Sequence, residues 1–349
     1  MSLRHTLSIL SLTLFATLPP SASAAPKYAV SIVGIAGSRA TGINAAGTVI
    51  GNQPSGANTH AFKHQNGVIT DLGTLGGPNA RAAGINNAGK IVGNADDGLG
   101  HTRAFLWVAG SMTDLGTFGG DNSGASAINN HDDIVGSADM PPGPNSYSSA
   151  FLLRPGVLMQ DLGRIEAADP EGGSHAAGIN DKRKVVGGSV VGEFTPPESP
   201  FHAFLYACEE MKDLGTLGGQ FSTAYAINAH GKVVGEASTP ELMNNRAFSY
   251  FLGVMKNLGT LPGGGLSSAR AINDKGEIVG YALAELGGGS SWQKAFLYRF
   301  GTMHDLNTLI NPALGWSLRE ANAINNKSQI AATGCKAGVC HALRLDPLP

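Results

Sequence analysis

The residue types most able to do chemistry recur along this chain. His60, His202 and His341 each open a His-Ala-Phe or His-Ala-Leu triplet, and Asp71, Asp114, Asp161, Asp213 and Asp305 each precede a leucine. Histidine beside carboxylate is the raw material of a metal site or of general acid–base catalysis. The histidine slot, however, is filled by Arg103, Ser149, Arg246 and Lys294 in the other copies of the triplet. A metal site would not survive that exchange. Both sets are therefore expected to be structural, holding strand ends and turn amides.

A second set does not repeat. Arg39, Arg81, His175 and Glu320 each lie five residues before the Asn of an Ile-Asn pair, and Tyr225, Arg270 and Asn322 lie three before it. Arg39, Arg81 and Arg270 have the fork that grips a carboxylate or sulfate. His175 and Tyr225 are candidates for base and acid in β-elimination from a uronate. The plainer reading is that these groups line a wet channel and satisfy one another. Tyr147, Phe194, Phe221, Trp292 and Trp316 fall between the regular segments, where aromatics stack on sugars, pack on a protein partner, or fold back over their own loops. Asp96, Asp97, Glu166, Asp169 and Glu171 invite calcium or glycosidase readings, but their spacing matches no calcium loop, and solvated loops are expected.

The elements that must position these residues emerge from a repeat. The Asn of the Ile-Asn pair falls at 44, 86, 129, 180, 228, 273 and 325, with gaps of 42, 43, 51, 48, 45 and 52 residues. Periods of that length, rich in strand signals, indicate propeller blades. In the second unit, "RAAGIN" (81–86), "KIVGNA" (90–95), "RAFLWV" (103–108) and "SMTDLG" (111–116) each read as a strand, with "INNAGK" and "VAGSM" as tight hairpin joints. The expected fold is all-β: one seven-bladed β-propeller of four-stranded blades. The chain stops at "HALRL" (341–345), a third strand, and starts its repeat with "YAVSIVGIAG" (28–37), which aligns with a fourth. The N-terminal strand should therefore complete the last blade and close the ring. The small residue four before each Asn suits the crowded innermost strand. Third-strand slots, two steps of about 4.8 Å out from it, cannot converge on one ion.

Residues 1–24 carry a polar start, an apolar run of about a dozen residues and Ala22-Ser23-Ala24, the pattern of a secretory signal peptide cut after Ala24. Residues 25–349 should then form the single propeller, exported to the periplasm or beyond, monomeric, and not inserted in a membrane. A net charge of −2 with only 14% charged residues argues against a nucleic-acid partner. No cofactor or metal is expected. In an oxidising compartment Cys335 and Cys340, five apart, can staple a hairpin tip. Cys208 reads as a buried or half-buried thiol.

The order of sub-motifs, "[HR]AF…M.DLGTLGG..S.A.(A/G)IN..G.VVG", resembles the HAF-repeat family of extracellular bacterial repeat proteins. The resemblance covers nearly all of 25–349 and implies export and a propeller-like repeat, with no assigned activity. "GRIEAADPEGG" (163–173), "DLNTLINPALGW" (305–316) and "IAA" (330–332) depart from it. Joints after the "VVG" and "DLG" strands vary in length while the others stay short, so all variable loops should share one face of the disc. Two function classes follow: a non-catalytic binding module holding a glycan or protein on that face, or a polysaccharide lyase or hydrolase acting at the channel mouth.

Overall fold

The computed structural model describes residues 27–143, 147–165, 172–192, 200–241, 245–286 and 290–349, with side chains for all of these except 284–286 and 290–292. It contains seven four-stranded antiparallel sheets, six of them running from an inner strand outward in chain order and the seventh completed by the first strand of the chain. Blade one runs Arg39–Ile43, Val49–Ser55, Asn58–Gln65 and Val68–Asp71; blade two runs Gly76–Ile85, Ile91–Asp97, Thr102–Val108 and Ser111–Asp114. The inner strands of blades three to seven are Ser123–Ile128, Ser174–Ile179, Ser222–Ile227, Leu266–Ile272 and Ser317–Ile324. Two single-turn 3-10 helices, Leu306–Thr308 and Pro312–Leu314, join blades six and seven.

The ring closes as the repeat phase requires. Tyr28–Ile32 is the outer strand of blade seven, paired antiparallel to Val339–Pro347 with Val30 opposite Leu345. Cys335 and Cys340 face each other across the adjoining pair of strands and are bonded, stapling a hairpin whose tip is Ala337-Gly338. Cys208 departs from expectation. It stands exposed at positive φ (53°) in the two-residue turn between the third and outer strands of blade four, where no neighbour covers it. A strand-end turn at the rim has no core to enter, whatever the polarity of its side chain.

The core lies between blades rather than within them. Ile50 and Ala61 of blade one pack with Ala82, Ile91, Phe105 and Trp107 of blade two, and the other junctions repeat this arrangement. Phe62, Phe105, Phe151, Phe204, Phe248 and Phe296 are wholly buried, each contributing roughly 1.5–3 kcal/mol of transfer free energy. Each stands opposite the Gly of a "VVG" strand. That Gly is dictated by close approach: a Cβ on Gly136 would sit 1.9 Å from the Gly124 carbonyl oxygen, and one on Gly235 1.9 Å from that of Thr223. Blade seven breaks both halves of the pairing at once, with Ala332 opposite Leu343.

On the axis the blades are joined by their asparagines. Asn44 Nδ2 donates to the Asn86 carbonyl, Asn86 to Asn129, Asn129 to Asn180, Asn180 to Asn228, Asn228 to Asn273, Asn273 to Asn325, and Asn325 back to Asn44, at 3.0–3.2 Å. Each Oδ1 accepts the backbone N–H four residues on, which fixes the first hairpin of its blade. Further out, a buried serine couples blades at the opposite face. Ser123 Oγ accepts from Ala104 N of the preceding blade and donates to the Gly116 carbonyl; Ser222 and Ser267 repeat this pattern.

Two stability measurements follow. Asn228→Ala removes the bond to Asn273 and strands two amide hydrogens of its own hairpin, so a loss of about 3 kcal/mol is expected in chemical denaturation; a change below about 0.5 kcal/mol would show that water replaces the ring freely. Gly136→Ala should cost about 3 kcal/mol or more, whereas Gly98→Ala, with no atom within 4 Å of its new Cβ, should stay within about 0.5 kcal/mol.

Candidate functional site

The recurring histidines and aspartates are internal partners. His60 Nδ1 lies 2.8 Å from Asp71 and His202 Nδ1 2.8 Å from Asp213, while Lys294 and Arg103 reach Asp305 and Asp114 at 3.1 and 3.5 Å from the same slot. The second carboxylate oxygen caps the turn: Asp71, Asp114, Asp161 and Asp213 each accept the N–H of the Gly two residues on. His341 instead meets the Gly34 carbonyl at 3.2 Å. Among the described residues, no three His, Cys, Asp or Glu side chains are grouped as a metal site.

The channel is lined differently along its length. At the tight-turn face a cavity of about 230 Å³ is ringed by the seven Ile-Asn pairs. Deeper, a cavity of about 220 Å³ is lined by small residues, isoleucines and Tyr225. The antiparallel order puts the connections from outer to inner strands, and from second to third, at the other face. This is the face of the variable loops, where the inner strands begin.

Near the start of each inner strand, the residue five before the Asn pairs with the one following the "VVG" Gly. The pairs are Arg39 with Asn52, Arg81 with Asn94, Gly124 with Ser137, His175 with Gly188, Thr223 with Glu236, Ser268 with Tyr281 and Glu320 with Thr333. Outside blade three, where both are small, bulk is complementary. Where the inner residue is Arg or His its partner is Asn or Gly, and where it is Thr or Ser its partner is Glu or Tyr. Glu236 and Tyr281 were not singled out from sequence, although the slot after "VVG" varies as freely as the inner one and would have revealed them.

These pairs build separate clusters. Arg270 lies with its Cζ 4.3 Å from the Tyr225 ring centroid and 5.1 Å from that of Tyr281, and its Nη2 donates to the Tyr281 hydroxyl at 3.1 Å. The Tyr225 hydroxyl donates to Glu236 Oε1 at 3.0 Å. Burial, then the Glu236 charge, raises the Tyr225 pKa far above the ordinary phenol range, which keeps it a donor. The cluster spans blades five and six. In blade four, His175 stacks on Phe201 with centroids 5.4 Å apart, and Phe201 lies over Gly188, where any Cβ would strike it. Burial holds the His175 imidazole below its usual pKa. His175 and Tyr225 thus belong to different clusters.

Across blades seven and one, Arg39 meets Glu320 at 3.7 Å, with the arginine side chain 71% exposed, and Asn322 Nδ2 donates to the Ala40 carbonyl. Arg81, in the matching slot of blade two, is exposed and forms no ion pair among the described residues. The three arginines therefore occupy three settings: Arg270 is clamped, Arg39 loosely paired and Arg81 free in solvent.

The loop aromatics with described side chains fold back. Trp316 packs edge-on against His341 at 5.9 Å and against the junction of blades six and seven. Tyr147 lies under Arg164 at 4.5 Å, and Phe221 is half-buried. Trp292 lies in the strand Ser290–Arg299, but its side chain, like all of Phe194, Glu166, Asp169 and Glu171, falls outside the described set. Asp97 accepts from the amides of Leu99 and His101, and Asp96 from Asn79, so both serve their loop.

No family model matches the sequence, and no curated protein does. Solved structures do match. The propeller domain of the Trilobed protease from Pyrococcus furiosus aligns at TM-score 0.53 and 9% identity, over 88% of this chain and 95% of that one. The acylaminoacyl peptidase of Pyrococcus horikoshii aligns at 0.51 and 8%, over 86% of this chain, which spans about half (49%) of the peptidase. A gluconolactonase from Xanthomonas campestris aligns at 0.41 and 12%, over 95% and 94%. At these identities the likeness extends to the β-propeller fold alone.

Proposed function

We propose that the chain is an exported, non-catalytic binding module that holds an anionic glycan, or an acidic segment of a protein, over the channel mouth on the variable-loop face. This keeps it with the HAF-repeat proteins its motifs resemble. The observation that carries the reading is the contrast among the candidate groups. The two residues suited to proton transfer are engaged internally, His175 with Phe201 and Tyr225 with Glu236 and Arg270. Arg39 and Arg81, on adjacent blades, point the other way: both are exposed at the loop end of their inner strands, and among the described residues their one ion-pair partner is Glu320, 3.7 Å from Arg39. With the distance long and the arginine mostly in solvent, the pair is worth about 1 kcal/mol, so a ligand carboxylate or sulfate can displace it at little cost. A guanidinium–anion fork then supplies both affinity and orientation.

The test uses residues 25–349 and a panel of neutral and anionic polysaccharides read by size-exclusion chromatography. Co-elution with the anionic members, without change in polymer length, is expected, and Arg81→Ala should weaken it by roughly tenfold. Shortening of the polymer that disappears in Tyr225→Phe or His175→Ala would instead make this a polysaccharide-degrading enzyme.

A further inference from the structure

The tight-turn face, opposite the loops, carries a second cavity. It lies at the junction of blades six and seven, measures about 520 Å³, and is lined by Lys27, Tyr28, Lys275, Glu277, Arg299 and Lys327, with Ser328 and the segment 347–349 at its edge.

What sets this junction apart is its charge. Elsewhere on the same face several cations meet carboxylates: Lys90 reaches Asp132 at 2.7 Å, Arg183 reaches Asp133 at 2.9 Å, and Arg344 reaches Asp346 at 3.0 Å. Lys184 and Lys232 form no ion pair among the described residues, but each stands alone rather than in a group around a cavity. Asp132, Arg183 and Ser328 occupy the same turn position in blades three, four and seven, all at positive φ where the other blades use glycine, and each spends its side chain on the neighbouring blade. At the junction of blades six and seven that position supplies only a hydroxyl. Lys275 Nζ donates to Ser328 Oγ at 3.1 Å. The one side-chain carboxylate, Glu277, has its Oε2 engaged by Asn273 Nδ2 at 2.7 Å and by the Ser328 hydroxyl at 2.6 Å. Among the described residues none of Lys27, Lys275, Arg299 and Lys327 forms an ion pair. Four cations therefore face one side-chain carboxylate around one cavity. The field is felt nearby: burial first, then Arg299 and Lys27, hold the His304 pKa below its usual value.

We infer that this cavity is a binding site for a compact polyanion, a molecule presenting two or more negatively charged oxygen groups, such as a diphosphate or a tricarboxylate. A monoanion would leave part of that positive charge unmatched. Three flexible ammonium groups can each turn to a separate oxygen, while Arg299, half-buried beside them, adds a planar fork. The site is independent of the loop-face reading, because it shares no residue with Arg39, Arg81 or their neighbours.

Isothermal titration of residues 25–349 with sodium pyrophosphate, and separately with citrate, tests this at low and high salt. Saturable binding that falls with salt is expected. Lys327→Gln and Arg299→Gln should each weaken it by roughly tenfold. Arg81→Ala and Lys90→Ala should leave it unchanged. Stronger binding of pyrophosphate would assign the natural ligand to phosphates, and stronger binding of citrate to carboxylates. Lys327 is exposed in a turn, so its variant tests the site without touching the core. Absence of saturable heat with both anions, or binding that both variants retain, would overturn the inference.

Discussion

The structure depends on how seven sheets that share no strand hydrogen bonds are held around one axis. Each inner strand ends at an asparagine carbonyl that accepts one N–H from its own hairpin and keeps a second lone pair facing the neighbouring blade. The neighbouring asparagine donates to that second lone pair, and it does so seven times in a closed circuit. Because the same side chain accepts from its own hairpin, blade geometry and ring closure are set by one amide. Asp would lack the donor and Gln would overshoot, so the position admits no variation. Conversely, the next residue along is Asn or Asp in five blades and alanine in two, since it only adds a second, partial circuit such as Asn87 N to Asn130 Oδ1.

The second constraint is radial. The inner strand of every blade is bulged beside its small residue, which brings a carbonyl against the "VVG" glycine and leaves the Phe ring of the third strand to close the space from the other side. Gly and Phe therefore act as a unit, and the joint change to Ala332 and Leu343 in blade seven shows that volume is what is conserved between them. That substitution sits in the blade assembled from both ends of the chain, where the Cys335–Cys340 bond adds an attachment that the other blades lack.

Much of this was legible in the sequence because a repeat reports each constraint seven times. The blade count, the strand phase, the closing strand and the structural standing of His60, His202 and the "DL" aspartates all follow from what recurs. Residues that occur once were harder to place. Arg270, Tyr225 and His175 could be assigned to inner strands, but their partners Glu236, Tyr281 and Phe201 come from second and third strands, and only the register shows that a large side chain on one strand is matched by a small one on the next. Cys208 was misplaced because it directly follows the largely buried strand Phe201–Ala207, while the turn it shares with Glu209 faces solvent.

The division between recurring and unique residues also separates the two faces chemically. On the loop face the serine clasp sits deep, Ser123 and Ser222 being buried, so side chains above it are free to differ without loosening the ring. On the tight-turn face variation is confined to short hairpins, and a change within them at the turn position alters charge rather than shape. Replacing an Asp132-like carboxylate by Ser328 keeps the turn and its contact with the neighbouring blade but removes the counter-ion of the adjacent cations. A fold held by backbone-directed amides tolerates such an imbalance, because none of the interactions that close the ring depends on it. Unmatched charge around a cavity therefore carries more information about ligands here than the conspicuous histidine–aspartate pairs, whose bonding capacity is spent within their own blades.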